Sequence, residues 1–385
     1  MRIAAVTGGR VVAGSSLIAG DLDIADERIV TIGAGAHPGP SLDARGLVVL
    51  PGFIDIHTHG GGGHSFFTSE PERLASYSDW APAHGVTAYL ASFVGDDADA
   101  TRTMLHSLRR ASSPGAACLG FHLEGPFINP GRRGAFPEET LRVPNREEFA
   151  SYQAAAEGRI RQVTFAPELE GGMELLEEIV RRGAVAAVGH TDATFAEASA
   201  AFEAGATHVT HLFNAMRPLH HREGGVLAAA LASKATCELI FDTVHVDENV
   251  LRLAYRVLGE RRTVVVTDNL YLAGAARSEG RFAGGAVSAV GNVAMRGDAT
   301  IVGSLLPMDG HFRNVIKVLG ANLEVAARLC ATNAAAVIGE AERGSIEPGK
   351  FADLVLLDER FEVVATVCAG RVAYLRPGDE RRYSA

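Results

Sequence analysis

The stretch Asp55-Ile-His-Thr-His59 sets two imidazoles one residue apart, with an acid before them and glycines 60–63 behind. Strand faces alternate, so Asp55, His57 and His59 share one face and Ile56 and Thr58 the other. Two imidazoles on one face can bind one cation together. Alone, the pair equally suits a polar strand end running into a flexible turn. Further along the chain, residues of the same chemical kind close other apolar runs: Glu124, His190 with Asp192, His208 and His211 with Asn214, Asp242 with His245, and Asp268 with Asn269. A single histidine at a strand end is ordinarily a hydrogen-bonded structural residue, and a lone aspartate after a strand caps a turn. Six runs that all end in histidine, glutamate or aspartate are hard to explain by capping. Glu124, His190 and His211 would make a three-ligand site of imidazole nitrogen and carboxylate oxygen, the donor set of an open catalytic zinc site. His57 and His59 would make a neighbouring site that shares Glu124.

The elements that must position these residues have a regular rhythm. Apolar runs of strand length fall at 52–58, 87–93, 117–123, 161–167, 184–190, 206–212, 236–244 and 262–268. Segments of helical character stand between most of them, at 70–84, 97–110, 174–182, 194–204 and 247–258. Eight strands alternating with helices predict a parallel (β/α)8 TIM barrel, whose active site lies at the C-terminal ends of its strands. A doubly wound open sheet is the rival, and the segment count favours closure. Two further helices are expected at 309–319 and 323–338. Both ends of the chain are β-rich, with short runs at 10–13, 21–24 and 28–32 and again at 353–357, 363–367 and 372–375. The expected organisation is a barrel over 51–344 and a small β-sandwich domain assembled from 1–50 and 345–385.

Bulk properties fit that picture. The 385 residues are 47% apolar and 21% charged, as in an ordinary globular chain. A net charge of −10 argues against general affinity for nucleic acid or anionic membranes, so no partner of either kind is expected. No apolar run reaches the ~18 residues of a membrane span. The first twenty residues lack the layout of a signal peptide. The cysteines Cys118, Cys237, Cys330 and Cys368 are scattered without a CxxC pair and read as free thiols of a cytoplasmic protein.

The longer motifs carry a specific resemblance. Pro51-Gly-Phe-Ile-Asp-Ile-His-Thr-His-Gly60, His122-Leu-Glu-Gly-Pro-Phe127, Gly189-His-Thr191, Thr210-His-Leu-Phe-Asn-Ala-Met216, His245-Val-Asp247, Val266-Thr-Asp268 and Gly344-Ser-Ile-Glu-Pro-Gly-Lys350 span nearly the whole chain. In this order they resemble the amidohydrolase superfamily, and within it the branch that removes the acetyl group from N-acetylglucosamine 6-phosphate. The resemblance implies a divalent metal, zinc foremost with iron or another ion as the alternative, at one or two sites per subunit. It implies that Glu124, His190 and His211 hold the principal cation and that Asp268 is the general base. The phosphorylated amino sugar would meet Ala135, Asn214, the backbone of Ala215, Arg222 and His245. Arg222 lies in a loop that in this family can reach the neighbouring subunit of a homodimer. Some relatives carry amide residues in place of the paired histidines and work with one metal, so His57 and His59 imply a second site. Glycines 60–63 then read as a loop clear of the substrate's path.

The chain also departs from the family pattern. Phe136 stands where a substrate-side histidine is usual, Thr243 where glycine follows the aspartate, and Asn269-Leu-Tyr-Leu-Ala-Gly274 and Ser304-Leu-Leu-Pro-Met308 are non-standard. A related sugar such as the galacto epimer therefore stays open. Ring hydrolases of the superfamily bridge two metals with a carboxylated lysine. Here the only lysines are Lys234, Lys317 and Lys350, none at a strand mouth. A non-catalytic binding barrel would predict a broken ligand set, whereas every ligand position is filled.

Overall fold

A computed structural model describes residues 1–33, 38–95 and 97–385. The strand-length runs become eight parallel strands: β1 (Phe53–Thr58), β2 (Val86–Val94), β3 (Ala117–Glu124), β4 (Ile160–Phe165), β5 (Val185–Val188), β6 (His208–Val209), β7 (Thr236–Ile240) and β8 (Thr263–Val266). They pair in sequence order from β1 to β8, the arrangement of a TIM barrel. Among the described residues no ladder joins β8 to β1. That seam is closed by the Asp268 amide donating to the His57 carbonyl and the His59 amide donating to the Asn269 carbonyl, each at 2.8 Å. Asp55 adds a third tie, its Oδ2 accepting from the Thr267 hydroxyl at 2.6 Å.

Alternation along β1 sorts its side chains. Ile54 and Ile56 pack with Val264 and Val266 of β8 beneath Ala334, Ala335 and Ile338, which leaves Asp55 and His57 on the other face. The α-helices among the described residues are α1 (Pro71–Trp80), α2 (Ala98–Leu108), α3 (Arg146–Ala155), α4 (Gly172–Arg181), α5 (Phe195–Glu203), α6 (Gly225–Ala232), α7 (Glu248–Arg262), α8 (Met308–Leu319) and, over the expected 323–338 helix, α9 (Leu323–Ala327) and α10 (Asn333–Val337) joined by a π-helical turn at Arg328–Thr332. Several start where the sequence supplies a cap. Asp97 accepts from the amides of Asp99 and Ala100, and Thr194 with Glu197 forms a capping box. The expected helix 247–258 ends where Gly259 leaves helical geometry at φ 70°. Helices α3 and α6 were not anticipated. α6 is built from small and aliphatic residues, Gly225-Val-Leu-Ala-Ala-Ala-Leu-Ala232, without a polar face to mark a period.

The chain ends form one nine-stranded sheet. Ala5–Ala13, Ser16–Ala25, Arg28–Gly33, Ser41–Asp43 and Val48–Pro51 join Leu354–Leu357, Val363–Cys368, Arg371–Leu375 and Tyr383–Ser384. Its own core includes Val6, Val11, Leu22, Val49, Leu354 and Leu356. Val48, Leu50, Val355 and Leu357 instead enter the barrel core. These adjacent strands thus bury both faces, which is why their sequences are apolar without alternation.

An element absent from the sequence reading lies between β8 and α8. Glu279–Phe282, Gly285–Val290, Val293–Met295 and Ile301–Ser304 form a four-stranded antiparallel sheet. Its last strand returns to the barrel mouth, where Ser304 donates its amide to the Asp268 carbonyl at 2.9 Å and accepts from the Leu270 amide at 3.1 Å.

Candidate active site

Three side chains named by sequence are delivered by one local device. His190, His211 and Asp268 each stand two residues beyond the last residue of their strand, after Val188, Val209 and Val266. All three adopt left-handed backbone, with φ of 49°, 25° and 50°. Non-glycine residues rarely take this conformation, and it persists where surrounding structure enforces it. It also explains why β5, β6 and β8 are shorter than their apolar runs: the backbone leaves the ladder to present the side chain.

The six candidate ligand and base residues converge. Glu124 Oε1 lies 2.9 Å from Nε2 of both His190 and His211, and these two nitrogens are 3.0 Å apart. His59 Nε2 is 3.0 Å from Glu124 Oε2 and 3.3 Å from Asp268 Oδ1. His57 Nε2 is 3.5 Å from Glu124 Oε1 and 3.4 Å from Asp268 Oδ1. Two overlapping groups could each hold a cation, His57, His59, Glu124 and Asp268 in one and Glu124, His190 and His211 in the other. All six residues are buried.

Hydrogen bonds behind the histidines test whether the set suits a metal. His190 Nδ1 donates to the Arg132 carbonyl at 2.9 Å, and His59 Nδ1 to the Ser92 carbonyl at 3.2 Å. His57 Nδ1 donates to Glu238 Oε2 at 2.8 Å. A proton fixed on Nδ1 leaves the lone pair of Nε2 facing the cluster, as a ligand requires. Meanwhile His57 Nε2 and Asp268 Oδ1 are buried without a hydrogen-bond partner. Buried polar atoms are almost always paired, and a divalent cation between them satisfies both. The residues fit the metal that sequence implied.

A cavity of about 230 Å³ opens over this cluster. His59, Glu124, His190, His211 and Asp268 form its floor, and Ala135, Asn214, Ala215 and His245 its sides. Phe136 and Phe282 supply aromatic walls. The Phe136 ring stands edge-on to His190 with centroids 5.0 Å apart, and Phe282 meets His59 at 5.3 Å. Phe282, Ile301 and Val302 come from the unanticipated sheet, and Thr300 is the residue just before its last strand.

No lysine or arginine lines this cavity among the described residues. His245 is the basic group at its side. Its Nδ1 bonds Asp242 Oδ2 at 2.6 Å. Burial works against a charge on His245, but that hydrogen bond and the Asp242 charge outweigh it and raise its pKa above the ordinary value. Thr243, placed where the family has glycine, still takes the left-handed backbone at φ 62°. Arg222 lies elsewhere, on an exposed loop with its guanidinium 2.9 Å from His221 Nε2. The glycines after His59 also stay out of the cavity. A Cβ on Gly61 or Gly62 would meet the Trp80 ring at 2.3 or 2.6 Å, so close packing accounts for these two.

Two buried polar residues were missed. His122 bonds the Ser92 hydroxyl at 2.9 Å and the Thr164 hydroxyl at 2.8 Å, so both ring nitrogens are used and it is no ligand. Glu238 interrupts the apolar run of β7, and that charge inside a core strand was its only trace in the sequence.

The sequence profile of the amidohydrolase family matches residues 48–373. The chain is 37% identical over 336 residues to the N-acetylglucosamine-6-phosphate deacetylase of Bacillus subtilis, covering 85% of each chain. It is 30% identical over 331 residues to the N-acetylgalactosamine-6-phosphate deacetylase of Escherichia coli O157:H7, covering 85% of this chain and 88% of that one. Among solved structures it superposes on an aspartate-to-alanine mutant of N-acetyl-D-glucosamine-6-phosphate deacetylase from Mycobacterium smegmatis in complex with N-acetyl-D-glucosamine-6-phosphate. That match has a TM-score of 0.90 and 34% identity and covers 97% of this chain and 99% of the other.

Proposed function

The chain belongs to the amidohydrolase family, and from that premise we propose that it hydrolyses the acetamide of N-acetylglucosamine 6-phosphate to acetate and glucosamine 6-phosphate. The observation that carries this reading is the convergence of Glu124, His190 and His211 within 3.0 Å beside the unpartnered Oδ1 of Asp268. Relatives acting on this sugar phosphate cover most of the chain.

Glu124, His190 and His211 would hold the principal cation, and His57 and His59, with Glu124 and Asp268, a second. Zinc suits the nitrogen and carboxylate donors, and iron or another divalent ion could take its place. A bound cation makes hydroxide available near neutral pH and polarises a carbonyl oxygen. Asp268 then acts on protons. Its carboxylate accepts one from the attacking water and returns it to the amide nitrogen, because an amine departs readily only when protonated. Ser304 and His57 pin the backbone of Asp268 from either side, so the carboxylate needs little reorganisation.

Ala135, Asn214, the backbone of Ala215 and His245 receive the sugar phosphate. His245, held by Asp242, supplies positive charge at the cavity's side. Arg222, which does not line the cavity of its own chain, completes phosphate recognition from the partner chain of a homodimer. Arginine's planar fork matches phosphate oxygens. The terminal sheet (1–50 and 345–385) and the barrel (51–344) are read as the two domains. Four free cysteines suit a reducing compartment such as the cytoplasm. No helix among the described residues is long and apolar enough to cross a membrane.

Phe136, standing where a substrate-side histidine is usual, and the likeness to an N-acetylgalactosamine-6-phosphate deacetylase support a second reading, in which the sugar is the galacto epimer. Acetate release from N-acetylglucosamine 6-phosphate, N-acetylgalactosamine 6-phosphate and unphosphorylated N-acetylglucosamine decides between them. The first should be turned over with the highest kcat/KM. A clear preference for the second would transfer the assignment to it, and turnover of neither phosphate would end the deacetylase reading.

A further inference from the structure

Glu238 lies beneath the cluster on β7, fully buried. Its two oxygens gather four partners from three other strands and their ends. Oε2 accepts from His57 Nδ1 at 2.8 Å and from the His211 amide at 2.9 Å. Oε1 accepts from Gln162 Nε2 at 2.9 Å and lies 3.1 Å from His208 Nε2. A carboxylate with every acceptor site filled is fixed in orientation and favoured as the anion.

The consequence falls on His57. Its ring can carry the single proton on either nitrogen. With the proton on Nδ1, held by Glu238, the Nε2 lone pair faces Glu124 and Asp268 and can bind a cation. With the proton on Nε2, the same ring donates to those carboxylates and shuts the cation out. For His59 and His190 a backbone carbonyl settles this choice. For His57 a charged side chain settles it, and a carboxylate behind a ligand also raises the ligand's basicity.

We propose that Glu238 is a positioning residue that sets His57 as a ligand and so governs whether the His57–His59 site holds a divalent cation. This rests on the reading of His57 and His59 as ligands. The Glu124–His190–His211 site should depend on Glu238 far less, since Glu238 meets it only through the His211 backbone amide, whereas in Glu238→Gln His57 loses the charge behind its ring.

Stepwise Zn²⁺ binding to metal-stripped protein tests this, read by competition with a chromophoric chelator for wild type, Glu238→Gln and His57→Asn. Wild type should take up two equivalents, and His57→Asn should lose one. Glu238→Gln should weaken that same step by roughly tenfold to hundredfold and leave the other within about twofold. Unchanged affinities in Glu238→Gln would overturn the proposal. So would equal weakening of both steps, which marks a merely structural role, or a wild-type profile that His57→Asn does not alter. If Glu238→Gln does not fold, Glu238→Asp, which keeps the charge but draws it back from His57, is judged by the same criterion. Misfolding of both variants would also overturn the proposal. A protein that shows both binding steps and the Glu238 effect yet releases no acetate would keep this inference and reject the proposed function.

Discussion

A Cβ built on Gly303 would stand 2.7 Å from the carbonyl oxygen of Asp268. The strand Ile301–Ser304 can therefore lie against the end of β8 only because residue 303 has no side chain. Here space, not backbone freedom, requires glycine. Gly303→Ala should push the Asp268 backbone aside while leaving Glu124, His190 and His211 in place. Misplacement of a reacting group by about an ångström costs up to ~100-fold in rate. Steady-state kinetics should show kcat reduced by roughly tenfold to a hundredfold with bound metal retained. Wild-type kcat would show that Asp268 tolerates the shift.

Asp268→Asn should fold and keep the cation at Glu124, His190 and His211. It should lose kcat by roughly 10²–10⁴, the usual contribution of a positioned base. Metal analysis and turnover measured on one preparation separate these effects. Near-normal turnover would count against Asp268 as the proton carrier.

Arg222→Ala should raise KM for the phosphorylated sugar by roughly tenfold to a hundredfold, matching the ~1.5–3 kcal/mol of hydrogen bonds to a charged group. The plain N-acetyl sugar should be affected little. Equal losses on both substrates would place the phosphate elsewhere.

Acid should weaken the fold partly through His311. Burial lowers its pKa to about 4, and its Nδ1 accepts from the Phe241 amide at 3.1 Å, so the folded state favours the neutral ring. The unfolded value is about 6.5. The stabilisation is therefore complete above that pH and is lost as pH falls toward 4, amounting to at most about 3 kcal/mol. Urea midpoints should drop between pH 6.5 and 4.5 more steeply in wild type than in His311→Gln. Parallel curves would remove His311 from the account.

Much of this arrangement was legible in the sequence because barrel strands are nearly continuous apolar runs and their ends carry the chemistry. His57, His59, Glu124, His190, His211 and Asp268 could be placed together for that reason. The run lengths overshot where His190, His211 and Asp268 turn out of their ladders, since left-handed backbone leaves no mark on hydropathy. The sheet 279–304 was hidden because its strands are short, half exposed and broken by Gly280, Gly284, Gly285 and Gly291. With it went Phe282 and Val302, which wall the cavity. Glu238 was passed over because a glutamate within an apolar run reveals a constraint but not its partners, and those come from β1, β4 and β6. Arg222 could be named from its motif, but its own chain leaves it outside the cavity.

The central claim is that Glu124, His190 and His211 hold the cation on which deacetylation depends. It is tested most directly by acetate release from N-acetylglucosamine 6-phosphate as Zn²⁺ is returned to chelator-stripped protein, beside Glu124→Ala. Stripped wild type should be inactive and should regain turnover in step with the first cation bound, while folded Glu124→Ala should stay inactive at every concentration. Full turnover after stripping, or restored turnover in Glu124→Ala, would contradict the account.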